Sequence, residues 1–187
     1  GRQVALLSGI LYIFAPYRAV DAYVRGAITE LYAITLIPLV LYLFLKLNKE
    51  FSIKYFLLSS LTFGIFLINH NIFNMVFVPI LFLWIFVLVL SLGLKNIKYI
   101  ILSLLFGFGL ASFFILPAFF EKSLVQIDNL KESIYIPNFR AHFVTIRQLF
   151  LSRYWGYGAS TWLEADEMSF QVGLPHWILA LIASLIF

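Results

Sequence analysis

Apolar residues fall along this chain in long blocks separated by brief polar punctuation, not in stripes. The blocks occupy residues 4–14, 27–45, 55–68, 75–94 and 99–117, with a last one from 176 to 187. A helix needs about 20 mostly apolar residues to cross a hydrocarbon core about 30 Å thick. Residues 27–45, 75–94 and 99–117 meet that requirement, 55–68 is short, and 4–14 is partial. Segments that are apolar all round belong in lipid or in the middle of a bundle. Lipid admits only helices or closed barrels, and the period-2 alternation of barrel strands is missing. The pattern predicts an all-α, polytopic transmembrane helical bundle. Pro38 and Pro79 fall inside two blocks, which membrane helices tolerate. The run "GFGLAS" at 107–112 is either a seam for close helix approach or a flexible patch.

The polar punctuation sets an orientation. The links after 45 and 94 carry Lys46, Lys49, Lys54, Lys95 and Lys98 against one acid, Glu50. An excess of Lys and Arg in short links marks the cytoplasmic side. Alternating from there places residues 18–25, "NHNIFN" (69–74) and the region 118–175 outside, that last region being partly helical. Arg18 and Arg25 then lie on the unexpected side: either they have acidic or phosphate partners, or the orientation is inverted. Eight of the nine acids and all three histidines gather at that outer face.

Composition agrees with a membrane protein. The 187 residues are 63% hydrophobic and 12% charged, whereas soluble domains are about 45–50% apolar and about 25% charged. With no cysteine there is neither a disulfide nor a thiolate metal site. The net charge of +4 comes without a basic stripe or RNA-binding motif, so no nucleic-acid partner is expected. The opening "GRQVALLSGI" and the close "LALIASLIF" suggest a single membrane domain over 1–187 that is a fragment of a longer chain.

Chemistry concentrates in a few places. In "PYRAVDAYVRGAITE", a helix over 17–30 sets Arg18, Asp21 and Arg25 at i, i+3 and i+7 on one face. That is either an interfacial salt-bridged helix anchored by Tyr17 and Tyr23, or an anion site. In the second case two guanidinium forks grip a phosphate while Asp21 acts as base or orienting group. Glu30 starts the following span, where a carboxylate is costly unless it serves a site. "NHNIFN" is a tight turn, or His70 with Asn69 and Asn71 hydrogen-bonds a sugar or phosphate and His70 moves a proton. Glu121, beside Lys122, is either a snorkelling interface residue or a cavity carboxylate. Arg147 and Arg153 sit on an expected amphipathic helix that enters the turn "YWGYG". There Trp155 and Tyr157, with Trp162, form an aromatic belt or a platform for a sugar ring. Glu164, Asp166 and Glu167 form an acidic cluster, either a cation site or a solvated tip. No P-loop, dinucleotide fingerprint, zinc-protease helix or nucleophile elbow occurs.

The ordered series "PYRAVDAYVRGAITELYAITLIPLVL", "INHNIFNMVFVPIL", "GLASFFILPAFFEKSLVQ" and "YWGYGAS…EADEMSFQVG" spans nearly the whole chain. It resembles bacterial multi-pass membrane proteins called 6-pyruvoyl-tetrahydropterin synthase related, which are similar to YfhO-like proteins. The soluble pterin synthase is a zinc enzyme with clustered histidines, whereas His70, His142 and His176 are scattered here. The resemblance points instead to the C-type glycosyltransferase superfamily, membrane bundles that take a sugar from a polyprenyl-phosphate carrier at the outer face. It implies that Arg18 and Arg25 bind the lipid phosphate and that His70 and Asn71 line the pocket. That superfamily's key acid usually lies in the first outer loop, expected here before Gly1, so Asp21 stands as a candidate base.

The expected protein is thus a multi-pass component of the bacterial cytoplasmic membrane with an extracytoplasmic site. Asp21 and His70 are its candidate catalytic residues. Arg18, Arg25, Glu30, Asn71, Glu121, Arg153, Trp155 and Tyr157 are candidate substrate-binding residues. Its expected partners are the lipid bilayer, a polyprenyl-phosphate sugar and a saccharide or protein acceptor. Mg²⁺ or Mn²⁺ suits carboxylates acting with a substrate phosphate, and the cofactor is left open. A non-catalytic relative, a transporter or flippase, or a scaffold for lipid-linked saccharides in envelope assembly are the alternatives.

Overall fold

The computed structural model describes residues 1–124, 143–158 and 167–186. Among these every regular element is helical, as the apolar blocks predict. Helix α1 (Arg2–Ile13), α2 (Pro16–Val20) and a π turn (Asp21–Arg25) follow one another closely. Then come α3 (Ile28–Lys49), α4 (Ile53–Asn69), α5 (Asn71–Leu92), α6 (Ile97–Phe120) and, near the end, α7 (Leu174–Ile186). Four stretches are long and apolar enough to cross a membrane: Arg2–Arg25 taken together, α3, α5 and α6. Helices α4 and α7 are apolar but shorter. His142, Trp162, Glu164 and Asp166 lie outside the described residues.

The chain divides into two compact units, Gly1–Ile28 with Ile127–Phe187, and Thr29–Gln126. In the second unit α4 and α6 form the tightest pair, and small residues explain why. A Cβ on Gly107 would lie 2.8 Å from the Ser60 carbonyl oxygen, and one on Gly64 would lie 2.9 Å from the Gly107 carbonyl oxygen. Backbones therefore approach as only glycine allows, the means by which helices associate where lipid removes the hydrophobic drive. Ser60 Oγ and Ser103 Oγ meet at 3.1 Å across this seam. Ser60 also reaches the Phe56 carbonyl of its own helix. The patch "GFGLAS" thus divides: Gly107 and Ala111 are buried, while a Cβ on Gly109 would meet nothing within 4 Å.

Around the seam the core is aromatic and aliphatic. Phe44 packs edge-on to Phe63, Phe66 tilts against Phe77, and Leu47, Leu81 and Ile100 are fully buried. The links on one end are tied together. Asn96 donates from Nδ2 to the Asn48 main-chain oxygen at 2.9 Å, and Phe51 stacks on Tyr99 with centroids 3.8 Å apart.

In the first unit, α1 and α7 bury no side chain. Their outward apolar side chains are what a span presents to acyl chains. Phe150 meets Trp177 edge to face, and the Val172 amide bonds the Leu149 carbonyl. The amphipathic helix expected over Arg147 and Arg153 is only a single π turn, Arg147–Leu151. Thr145 and Gln148 form a reciprocal capping box at its start. Ser152 is extended and ends it, leaving Arg153 beyond the turn.

Candidate functional site

The charged stretch between the first two apolar blocks is shaped by Pro16. A residue before proline is pushed out of the helical region, and Ala15 adopts φ −58°, ψ 128°. Helix α1 therefore stops, and Pro16 opens α2 at the position where its missing N–H costs nothing. The break leaves carbonyls of α1 without intrahelical donors. His176 Nε2 lies 2.8 Å from one of them, the Leu11 oxygen. His176 thereby pins the start of α7 to this elbow.

Beyond the elbow α2 widens into the π turn, which ends at Gly26 in the left-handed region (φ 61°). The amides of Gly26 and Ala27 both converge on the Asp21 carbonyl. Asp21 is completely buried, and its Oδ1 accepts from an Arg25 terminal nitrogen at 2.7 Å. The same nitrogen lies 2.7 Å from the Tyr17 hydroxyl. Its two hydrogens are thus directed at Asp21 and Tyr17. The Arg18 guanidinium instead lies over the Tyr12 ring, 5.3 Å from its centroid. Spacing alone puts the three charges on one face. The fold pairs two of them and turns the third toward α1.

The consequence is electrostatic. Asp21 and Arg25 form an ion pair, and Arg18 adds a second guanidinium to the same turn. Burying a carboxylate is expensive unless it is paired and hydrogen-bonded, and here the pair sits in a π turn, a geometry frequent at functional sites.

The family model for the 6-pyruvoyl-tetrahydropterin synthase related domain, a membrane protein, matches residues 1–163. The chain belongs to that family. No curated protein and no solved structure matches it. Family and helices agree on a multi-pass membrane protein in contact with the lipid bilayer.

In this family member the other candidate residues distribute as follows. Glu30 is buried in the first turn of α3, where the helix's positive end favours a carboxylate. His70 is extended, the single residue between α4 and α5, and caps α5 by accepting from the Phe73 amide at Nδ1 (3.3 Å). That bond puts the ring proton on Nε2, so a neutral His70 offers a donor there. Asn71 is the exposed first residue of α5. Asn74 closes the turn by donating to the Leu67 carbonyl at 2.5 Å. Glu121 caps α6 and is exposed.

In the first unit Arg153 and Tyr157 are exposed and Trp155 is half-buried. Gly156 has φ 51°, and a Cβ at Gly156 or Gly158 would collide with Glu167. A cavity of about 180 Å³ opens beside them, lined by Arg147, Gln148, Ser152, Tyr154 and Ser169. Sequence reasoning passed over Tyr12, Gln148 and Ser169. The capping-box spacing of Thr145 and Gln148 is the one signal that points to this pocket. Among the described residues no three His, Asp or Glu side chains gather as metal ligands.

Proposed function

We propose that this protein binds the phosphate of a polyprenyl-phosphate-linked sugar at the extracytoplasmic face of a bacterial cytoplasmic membrane. It does so as a glycosyltransferase of the C-type superfamily or a non-catalytic relative. The observation that carries this reading is Asp21, fully buried and held by Arg25, beside Arg18 in a widened turn at the end of an apolar helix. Two guanidiniums lie in or beside this turn, and an arginine suits a phosphate diester better than a lysine does.

In the enzymatic form Arg18 stabilises charge developing on the leaving phosphate. Asp21 orients Arg25 and hence the phosphate-facing edge of the turn, acting as a positioning residue unless the acceptor hydroxyl reaches its carboxylate. In the second unit His70, with its Nε2 donor, and Asn71 beside it are candidate contacts for the sugar. Glu30, Glu121, Arg153, Trp155 and Tyr157 remain candidate contacts for the sugar and the acceptor. The lysine-rich links lie on the cytoplasmic side in this arrangement.

A transporter would place charges at mid-membrane in broken helices. Helices α3, α5 and α6 run unbroken, and the Arg2–Arg25 stretch, broken at Ala15–Pro16, carries its charges only at Arg2 and in its last third. This favours the transferase reading.

The test is sugar transfer by the full-length protein from a radiolabelled polyprenyl-phosphate sugar, alongside binding of that donor. Arg18→Ala should weaken donor binding by at least tenfold, and Asp21→Asn should lower transfer more than binding. Donor binding unchanged in Arg18→Ala would remove this turn from the function. Binding of the donor without turnover would assign the protein to the non-catalytic relatives.

A further inference from the structure

Five of the six lysines of the second unit come from two links separated in sequence, and the fold makes them one surface. Asn96 reaches from the α5–α6 link to the Asn48 carbonyl at the end of α3, and both residues are buried. Phe51 and Tyr99 stack across the same gap, with their planes 22° apart. Lys49, Lys54, Lys95 and Lys98 are exposed around this tie, and Lys46 is half-buried over the Tyr42 ring. Lys98 lies over Tyr99, 4.8 Å from its centroid. Glu50 is the one acid among them. Among the described residues none of the five lysines is held in an ion pair.

We infer that this rim is a docking surface for anionic lipid head groups, and that the two links bind them as one site. Lipid is the partner because of where the rim lies. Lys46 and Lys49 are in the last turn of α3, and Lys95 and Lys98 flank the start of α6, both of them candidate spans. Apolar Leu92, Leu94 and Ile53 are exposed beside them. Tyr42 and Tyr99 supply amphipathic rings of the kind that settle at head-group depth. Ammonium groups are mobile point charges, suited to phosphates that exchange laterally. With 22 residues at about 1.5 Å each, α3 sets this rim roughly 33 Å from the end bearing Glu30. The rim belongs to the second unit and does not depend on the reading proposed for the charged turn of the first.

A lysine near an anionic membrane contributes about fivefold in affinity. Native mass spectrometry of the full-length protein, with phosphatidylglycerol or phosphatidylcholine added in matched amounts, measures retention directly. Wild type should retain phosphatidylglycerol preferentially. Lys49→Gln/Lys54→Gln and Lys95→Gln/Lys98→Gln should each lower that retention by about tenfold or more, leaving phosphatidylcholine unchanged. Asn96→Ala removes no charge, yet should lower it severalfold by letting the links part. Phe51→Leu, milder for folding, should act in the same direction. Equal retention of both lipids, or lysine variants without effect, would overturn the proposal. Full retention in both Asn96→Ala and Phe51→Leu would overturn the single-site claim.

Discussion

The charged turn of the first unit and the α4–α6 seam of the second bury polar atoms by opposite means. At the seam the groups are neutral hydroxyls, and Ser59 and Ser60 hydrogen-bond carbonyls of their own helix. Ser59 and Ser60 are satisfied before any partner helix arrives, and Ser103 meets the Ser60 hydroxyl across the seam. In the turn the buried group is a carboxylate, which has no such local refuge and depends on Arg25. The contrast separates polar atoms that tolerate burial from a charge that must be maintained. A costly, maintained charge is the better marker of function.

Four substitutions break or sharpen this comparison. The largest effect belongs to the seam's shape. Gly107→Leu drives a side chain into the Ser60 carbonyl and Phe63, and should destabilise the protein by about 3 kcal/mol. Unfolding in mixed micelles measures this, with Gly109→Ala, which meets nothing within 4 Å, as the unaffected reference.

Next comes the charge. Removing one partner of a fully buried pair costs about 3–5 kcal/mol. The Arg25 side chain is 33% exposed, so Arg25→Ala should cost about 2 kcal/mol once solvent screening is allowed for. Asp21→Asn/Arg25→Gln, which buries no unpaired charge, should be more stable than Arg25→Ala by the same unfolding assay. A double variant worse than the single would mean that Asp21 is held by something other than charge.

The helix cap follows. His70→Ala should lose about 1 kcal/mol, and His70→Asn should recover most of it. Their difference in thermal midpoint isolates the cap from any binding role of Nε2. Ser60→Ala should be smallest, at about 0.6 kcal/mol. A loss several times larger would show that the seam depends on its hydroxyls after all.

Much of the architecture was legible in the residues. Apolar blocks of span length dictate membrane helices because lipid leaves the backbone no other way to satisfy its hydrogen bonds. Pro16 and Gly26 bound the charged turn, whereas the spacing of Arg18, Asp21 and Arg25 predicted one helix over 17–30. Asn, His and Asn in a row at 69–71 leave room for little except a tight turn. The amphipathic helix expected over Arg147 and Arg153 shows the limit. Its capping box starts a helix that Ser152 ends within a turn.

By itself, then, the sequence determined the helical membrane class and the positions of the main apolar helices. Both follow from hydrophobicity and backbone chemistry, which act locally. Only the tertiary structure decided that Asp21 takes Arg25 while Arg18 turns to Tyr12. It alone selected Gly107 over Gly109 for the seam and joined two lysine links through Asn48 and Asn96. Those choices depend on which atoms lie within a few ångströms in space, and the periodicity of apolar residues carries no record of them.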